Sequence, residues 1–182
     1  MTSRWEYLIE PVGHEYKNTK TIAGVEFTVN ATIENAQFVN RMGRVYATPK
    51  ASEIKVGSLV ILHHNVFRTY LDMKGRKRKS NEYYRDGLYL VSEEKIYLYN
   101  DGDDWKTTKD YCFVSPIDYL QSSDVYRDDK KEEKHVGVVR YINSPYVNTG
   151  DTVAFKKNSE YRFDINDEKL YRMRVNDICV KL

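Results

Sequence analysis

The sequence predicts an all-β protein built as two tandem copies of one module. Three observations predict it. Four sequence blocks occur twice in the same order, short apolar or alternating runs are separated by turn residues throughout, and long helical periodicity is found nowhere. Tyrosine is also unusually frequent, at 16 of 182 residues, and many of these alternate along the chain as they would in strands.

The repeat is clearest at the end of each module. Residues 88–99, LYLVSEEKIYLY, return as residues 170–181, LYRMRVNDICVK. Leu88 matches Leu170, Tyr89 matches Tyr171 and Ile96 matches Ile178. In both, an apolar run enters a polar turn and Ile opens a short alternating strand. Three further blocks align. Lys55-Val-Gly57-Ser-Leu-Val60 with Leu62 and Asn65 matches Asn148-Thr-Gly150-Asp-Thr-Val153 with Phe155 and Asn158. Gly43 and Val45 match Gly137 and Val139, and Tyr7 to Val12 matches Cys112 to Ile117. The four prolines fall into two matched pairs, Pro11 with Pro116 and Pro49 with Pro145. Chance similarity of apolar runs accounts for one block, not four in order.

Taken in order, residues 5–12 form the opening strand. Residues 13–41 are long, polar and rich in Asn and Thr, with one apolar patch, Ile22-Ala-Gly24-Val25-Glu26-Phe27-Thr-Val29. Residues 43–47 and Leu59–Leu62 are strands around a Lys-Val-Gly turn, and 67–70 are a further short strand. Residues 71–87 are an insertion carrying the basic run Lys74-Gly-Arg76-Lys77-Arg78-Lys79, and 88–99 close the first module, spanning 1–100. Residues 101–109, with Asp101, Gly102, Asp103 and Asp104, are the linker. The second module, 110–182, opens at 111–117. Residues 122–134 are highly charged and mixed in sign, the composition of a solvated loop. Strands follow at 136–141, Thr152–Phe155 and Tyr161–Ile165, and 170–180 close the module. Many short strands with turn signals between them mean a barrel or a sandwich.

Composition bounds the function. The net charge of +2 does not point to nucleic acid or a membrane as partner, and no apolar run approaches membrane-span length. The opening residues MTSRWEY carry no signal-peptide pattern. Cys112 and Cys179 occupy strand-like apolar positions and read as small buried hydrophobes in a reducing compartment. The expectation is a soluble, cytoplasmic protein.

The ordered blocks resemble the ten-kilodalton co-chaperonins of the GroES type, seen twice. That family runs from an opening strand through a mobile loop to a Gly-Glu-Val-Leu-like strand, then Lys-Val-Gly-Asp-x-Val-x-Phe, and closes with Leu-Ile-Met-Ser-Glu-x-Asp-Ile-Leu-Ala. The counterparts are 43–47, 55–62 and 88–98 in the first module, and 137–141, 148–155 and 170–180 in the second. The resemblance implies two tandem GroES-like irregular β-barrels. It also implies a homo-oligomeric ring that caps a GroEL-type chaperonin in its nucleotide-bound state and encloses an unfolded client protein. The mobile loop of that family docks through an apolar tripeptide after Gly. The matching positions are Gly24, then Val25-Glu26-Phe27, flanked by Ile22 and Val29, with Glu26 at a middle position that is usually apolar. Extended, Val25, Phe27 and Val29 would lie on one side. Only 48–54 stand where the family's roof hairpin would be, as in the roofless phage-encoded co-chaperonins, for which the compartment would be the host cytoplasm. The second module's loop, 118–135, has no apolar patch after Gly.

Bland readings stand beside the sharp ones. Residues 25–29 also suit an ordinary strand packed on the barrel. Residues 74–79 also suit a solvated hairpin tip. His63 and His64 are adjacent in a strand and would point to opposite faces, which makes them poor co-ligands for a metal. His14 and His135 lack a partner at metal-site spacing. No nucleophile triad, phosphate loop or paired-carboxylate signature stands out, so neither catalysis nor a cofactor is expected. The GroES-like barrel also occurs in alcohol dehydrogenases, but no dinucleotide-binding unit follows here. The alternatives to a co-chaperonin are a structural protein, such as a virion component, built of the same tandem barrels, and a small nucleic-acid-binding barrel using 74–79 and surface tyrosines.

Overall fold

A computed structural model describes residues 2–3, 5–16, 19–22, 25–28, 38–102, 104–108, 110–120, 130–165 and 168–182. The chain is all-β, with two compact units, Met1–Trp105 and Lys106–Leu182. The first unit contains β1 (Thr2–Ser3), β2 (Tyr7–Pro11), β3 (Thr19–Ile22), β4 (Val25–Thr28), β5 (Met42–Pro49), β6 (Leu59–Leu62), β7 (Thr69–Leu71), β8 (Lys77–Lys79), β9 (Tyr83–Arg85), β10 (Leu88–Val91) and β11 (Ile96–Asn100). The second contains β12 (Lys106–Thr107), β13 (Tyr111–Leu120), β14 (Lys130–Ile142), β15 (Thr152–Phe155), β16 (Tyr161–Ile165), β17 (Glu168–Arg174) and β18 (Ile178–Lys181). Single turns of 3-10 helix, Glu93–Lys95 and Val175–Asp177, lead into β11 and β18. Among the described residues, no helix is long and apolar enough to cross a membrane.

The two units share one topology. Six strands follow one path in each sheet, β11-β6-β5-β2-β10-β9 in the first, which also takes in β1 and β12, and β18-β15-β14-β13-β17-β16 in the second. The identity extends to single residue pairs. Tyr89 pairs with Ile9 and Val91 with Tyr7, as Tyr171 pairs with Val114 and Met173 with Cys112. Pro11 pairs with Gly43 and Ile9 with Val45, as Pro116 pairs with Gly137 and Val114 with Val139. Both ladders carry an irregularity at one matched step, between Leu8 and Ile9 and between Phe113 and Val114. The Lys-Val-Gly turn and its Asn-Thr-Gly counterpart close alike. Gly57 N donates to Val45 O and Gly150 N to Val139 O, both at 2.8 Å. Gly57 and Gly150 have φ of 89° and 93°, a left-handed conformation that glycine adopts without steric cost.

Period-two alternation gives each sheet an inner face. Along β5, Gly43, Val45 and Ala47 are buried while Arg44 and Tyr46 are exposed. The first core gathers Tyr7, Ile9, Val60, Leu62, Phe67, Tyr89 and Ile96, with the Phe67 and Tyr89 rings edge to face at 4.8 Å. The second gathers Cys112, Val114, Val139, Val153, Phe155 and Met173.

Several expectations are corrected here. Neither sheet is closed into a barrel. Closure requires matched strand tilt and stagger, and β9, at one end of the first sheet, is only three residues long. The stretch 71–87 divides. Residues Lys77–Lys79 pair with β7 in a separate two-stranded hairpin, whereas Tyr83–Arg85 pair with β10 as β16 pairs with β17. Tyr83–Arg85 therefore has a counterpart in the second unit. Charge concealed it, because an end strand can be exposed and polar. Cys112 is buried but Cys179 is exposed, since β18 is the strand at the outer border of its sheet.

Candidate functional site

The candidate docking segment leaves the first sheet where β2 ends and returns where β5 begins. Beyond the Pro11–Gly43 pair, Val12 N donates to Met42 O at 3.0 Å. The two arms meet again at an isolated bridge between Tyr16 and Val39. Asn40, 1% exposed, fills the gap between these contacts. Its Nδ2 donates to Val12 O at 2.8 Å and to His14 O at 3.0 Å, its Oδ1 accepts from Met42 N at 3.0 Å, and its backbone N donates to Glu15 O at 2.8 Å. A buried amide with both ends paired holds two chains at one separation.

Two side chains tie this neck to the rest of the unit. Tyr16 Oη accepts from Thr69 N at 2.8 Å and from Thr69 Oγ1 at 3.0 Å, and donates to Thr69 O at 3.2 Å. Glu15 Oε1 accepts from Tyr89 Oη at 2.8 Å and pairs with the Lys79 ammonium. Burial, reinforced by Glu15, raises the Tyr89 phenol far above its usual range, so it stays a donor.

Beyond the neck, β3 and β4 form a hairpin of their own, hydrogen-bonded to no strand of the main sheet among the described residues. Ile22 pairs with Val25, Thr21 with Glu26, Lys20 with Phe27 and Thr19 with Thr28. Of the sequence-predicted docking residues, Ile22 lies on β3 and Val25, Glu26 and Phe27 lie on β4. Gly24 and Val29 lie outside the described residues.

The second unit makes an excursion at the same place in its topology. After the Pro116–Gly137 pair the ladder resumes with Asp118 opposite Glu132 and continues to Leu120 opposite Lys130. The expected solvated loop at 122–134 is thus strand from Lys130 onward. Mixed charge reports solvent exposure, and an exposed ladder satisfies its backbone as well as a loop does. His135, with φ of 61°, sits in the break. Glu132 here does what Glu15 does in the first unit. It accepts from Tyr171 Oη at 2.6 Å and pairs with the Lys169 ammonium. Burial alone would raise its carboxyl, but the bonds from Lys169 and Tyr171 outweigh that and hold it below the usual range.

Sequence reasoning found Tyr89 and Tyr171 as matched positions but missed their partners. Glu15 stands on the outgoing arm of its excursion and Glu132 on the returning arm, so no common spacing links them. Asn40 and Tyr16 were missed because each acts through a partner distant in the chain. His63 and His64, expected on opposite faces, follow the end of β6 in a turn, and their rings stack at 4.2 Å. His135 Nδ1 lies 3.9 Å from Glu160 Oε1. Among the described residues, no group of three or more His, Cys, Asp or Glu is arranged to hold a metal ion. The arrangement is suited to presenting a peptide segment. In comparisons with known proteins, no protein-family model and no curated sequence matches this chain.

Proposed function

We propose that this protein is a co-chaperonin that docks on a GroEL-type chaperonin in its nucleotide-bound state through the hairpin Thr19–Thr28. The observation that supports the reading is the clamped neck. A short hairpin containing Ile22, Val25 and Phe27 is carried outside the main sheet, between β2 and β5, on a root held by Asn40, Tyr16 and Glu15. In this reading the two open sheets stand in place of the family's barrels, and copies of the chain assemble into a ring over a chamber holding an unfolded client in the cytoplasm. Val25 and Phe27 are the anchors, and burying Phe27 contributes roughly 1.5–3 kcal/mol. One hairpin binds weakly, and several in one oligomer bind together. Ordering that accompanies docking costs affinity and keeps release fast. The second unit, whose excursion lacks an apolar patch after Gly, supports the ring without docking.

The test is chaperonin binding with nucleotide, beside circular dichroism of each variant. Phe27→Asp is expected to abolish binding and leave both units folded. Glu26→Val is expected to strengthen it by lengthening the apolar contact. Normal binding by a folded Phe27→Asp protein would overturn docking through this hairpin. Unfolding of that variant would make Val25–Thr28 a structural strand instead.

A further inference from the structure

We propose that the exposed segment running from the β7–β8 hairpin into β9 is a binding site for single-stranded nucleic acid. Charge is the first ground. Residues 69–87 contain six Lys or Arg and three Asp or Glu, a net +3 in a chain whose total is +2. The positive charge of the protein is therefore concentrated on this one feature. Ion pairing cancels it only in part: Lys79 pairs with Glu15 and Arg85 lies 3.9 Å from Asp86. Arg76 and Arg78 share the single carboxylate of Asp72, at 3.3 and 3.2 Å. Lys74 and Lys77 have no ion-pair partner among the described residues, and every residue of β8 is exposed.

Exposed aromatic rings are the second ground. Tyr70 and Tyr84 are 38% and 51% exposed, and Tyr83, 37% exposed, also packs edge to face on the buried Tyr89 ring at 5.4 Å. They interleave with the cations. Tyr70 is the cross-strand partner of Arg78, Lys79 Nζ lies 4.7 Å from the Tyr83 ring centre, and Arg85 Cζ lies 5.1 Å from that of Tyr84. Basic groups that track phosphates, beside rings on which bases stack, are the pattern of sequence-tolerant single-strand binding. Duplex bases are already stacked on each other, so these rings favour an unpaired strand.

The site is also built in advance. Asp72 Oδ1 accepts from Lys74 N and Arg76 N, both at 2.9 Å, and closes the hairpin tip. Those backbone bonds, with Arg78, hold its carboxyl below the usual range. The cations are thus displayed on an ordered turn.

The test is fluorescence anisotropy of labelled oligothymidylate with the full chain. Tight binding at low salt that weakens as salt rises, with little binding of a duplex of the same length, is expected. Lys74→Gln with Lys77→Gln removes two phosphate contacts and should flatten the salt slope by about 1.4. Tyr84→Ala should weaken binding roughly tenfold or more. Phe27→Asp should bind oligothymidylate normally, because the docking hairpin uses other residues. No binding at low salt, equal binding of duplex, or unchanged binding by the folded variants would overturn the proposal. Displacement by polyglutamate as effectively as by unlabelled oligothymidylate would also overturn it, showing a site for acidic protein. The duplex and polyglutamate comparisons use the unmodified chain and decide the matter even if a variant fails to fold.

Discussion

At the scale of single residues, polar side chains determine how each unit's excursion is held. Glu132 receives Tyr171 and Lys169, and its carboxyl is held below the ordinary glutamate range. A folded-state pKa below the unfolded one adds stability that is complete above the ordinary value and is lost as pH falls through the folded value. Acidification from neutral to about pH 3 should therefore destabilise the second unit partly through this group. In Glu132→Gln that share of the acid dependence should vanish, with lower stability at neutral pH because a hydrogen bond to a charged acceptor, worth about 1.5–3 kcal/mol, is weakened. Thermal unfolding of both proteins across that pH range checks it, and parallel curves would show that Glu132 contributes nothing. The matched tyrosines were legible in the sequence as repeat positions. Their carboxylate and ammonium partners were not, since equivalent positions in space are filled from different positions along the chain.

At the scale of elements, alternation and glycine carried most of the information. The strands Leu59–Leu62, Thr152–Phe155 and Tyr161–Ile165 lie where alternation and turn residues put them. Gly43 and Gly137 matched in the repeat, and the sheets supply the reason. A Cβ at Gly43 would lie 2.5 Å from Ile9 Cγ2, and one at Gly137 would lie 2.8 Å from Ser115 O. Neither neighbour can rotate away: one branches from the Cβ of a fully buried side chain, and the other is backbone. Gly43→Ala and Gly137→Ala should each cost about 1–3 kcal/mol by forcing adjacent strands apart. Chemical denaturation measures this, and a change within about 0.5 kcal/mol would show that the sheets yield easily. The elements read least well were those without an apolar face. The strand Lys130–Ile142 begins in a charged run and Tyr83–Arg85 follows a basic one after Ser80, Asn81 and Glu82, and their pairing depends on backbone bonds that side-chain composition does not encode.

At the scale of the whole molecule, each unit has its own buried core, and core truncation should act locally. Phe67 in the first unit and Phe113 in the second are fully buried, so Phe67→Ala and Phe113→Ala should each cost about 3–5 kcal/mol. Amide hydrogen exchange should show protection lost in the unit that carries the change and retained in the other. Equal loss in both would show one cooperative body. The sequence by itself determined that the chain is all-β and duplicated, because apolar periodicity, turn glycines and the order of blocks are properties of the chain read locally. Within the aligned blocks, the register of the second sheet matches that of the first pair by pair. Only the tertiary structure decided that the sheets stay open, that β3 and β4 stand apart as a hairpin, and that Asn40, Tyr16 and a glutamate hold its root. Those outcomes depend on hydrogen bonds between groups tens of residues apart, and no local pattern reports which distant partner a buried polar atom will find.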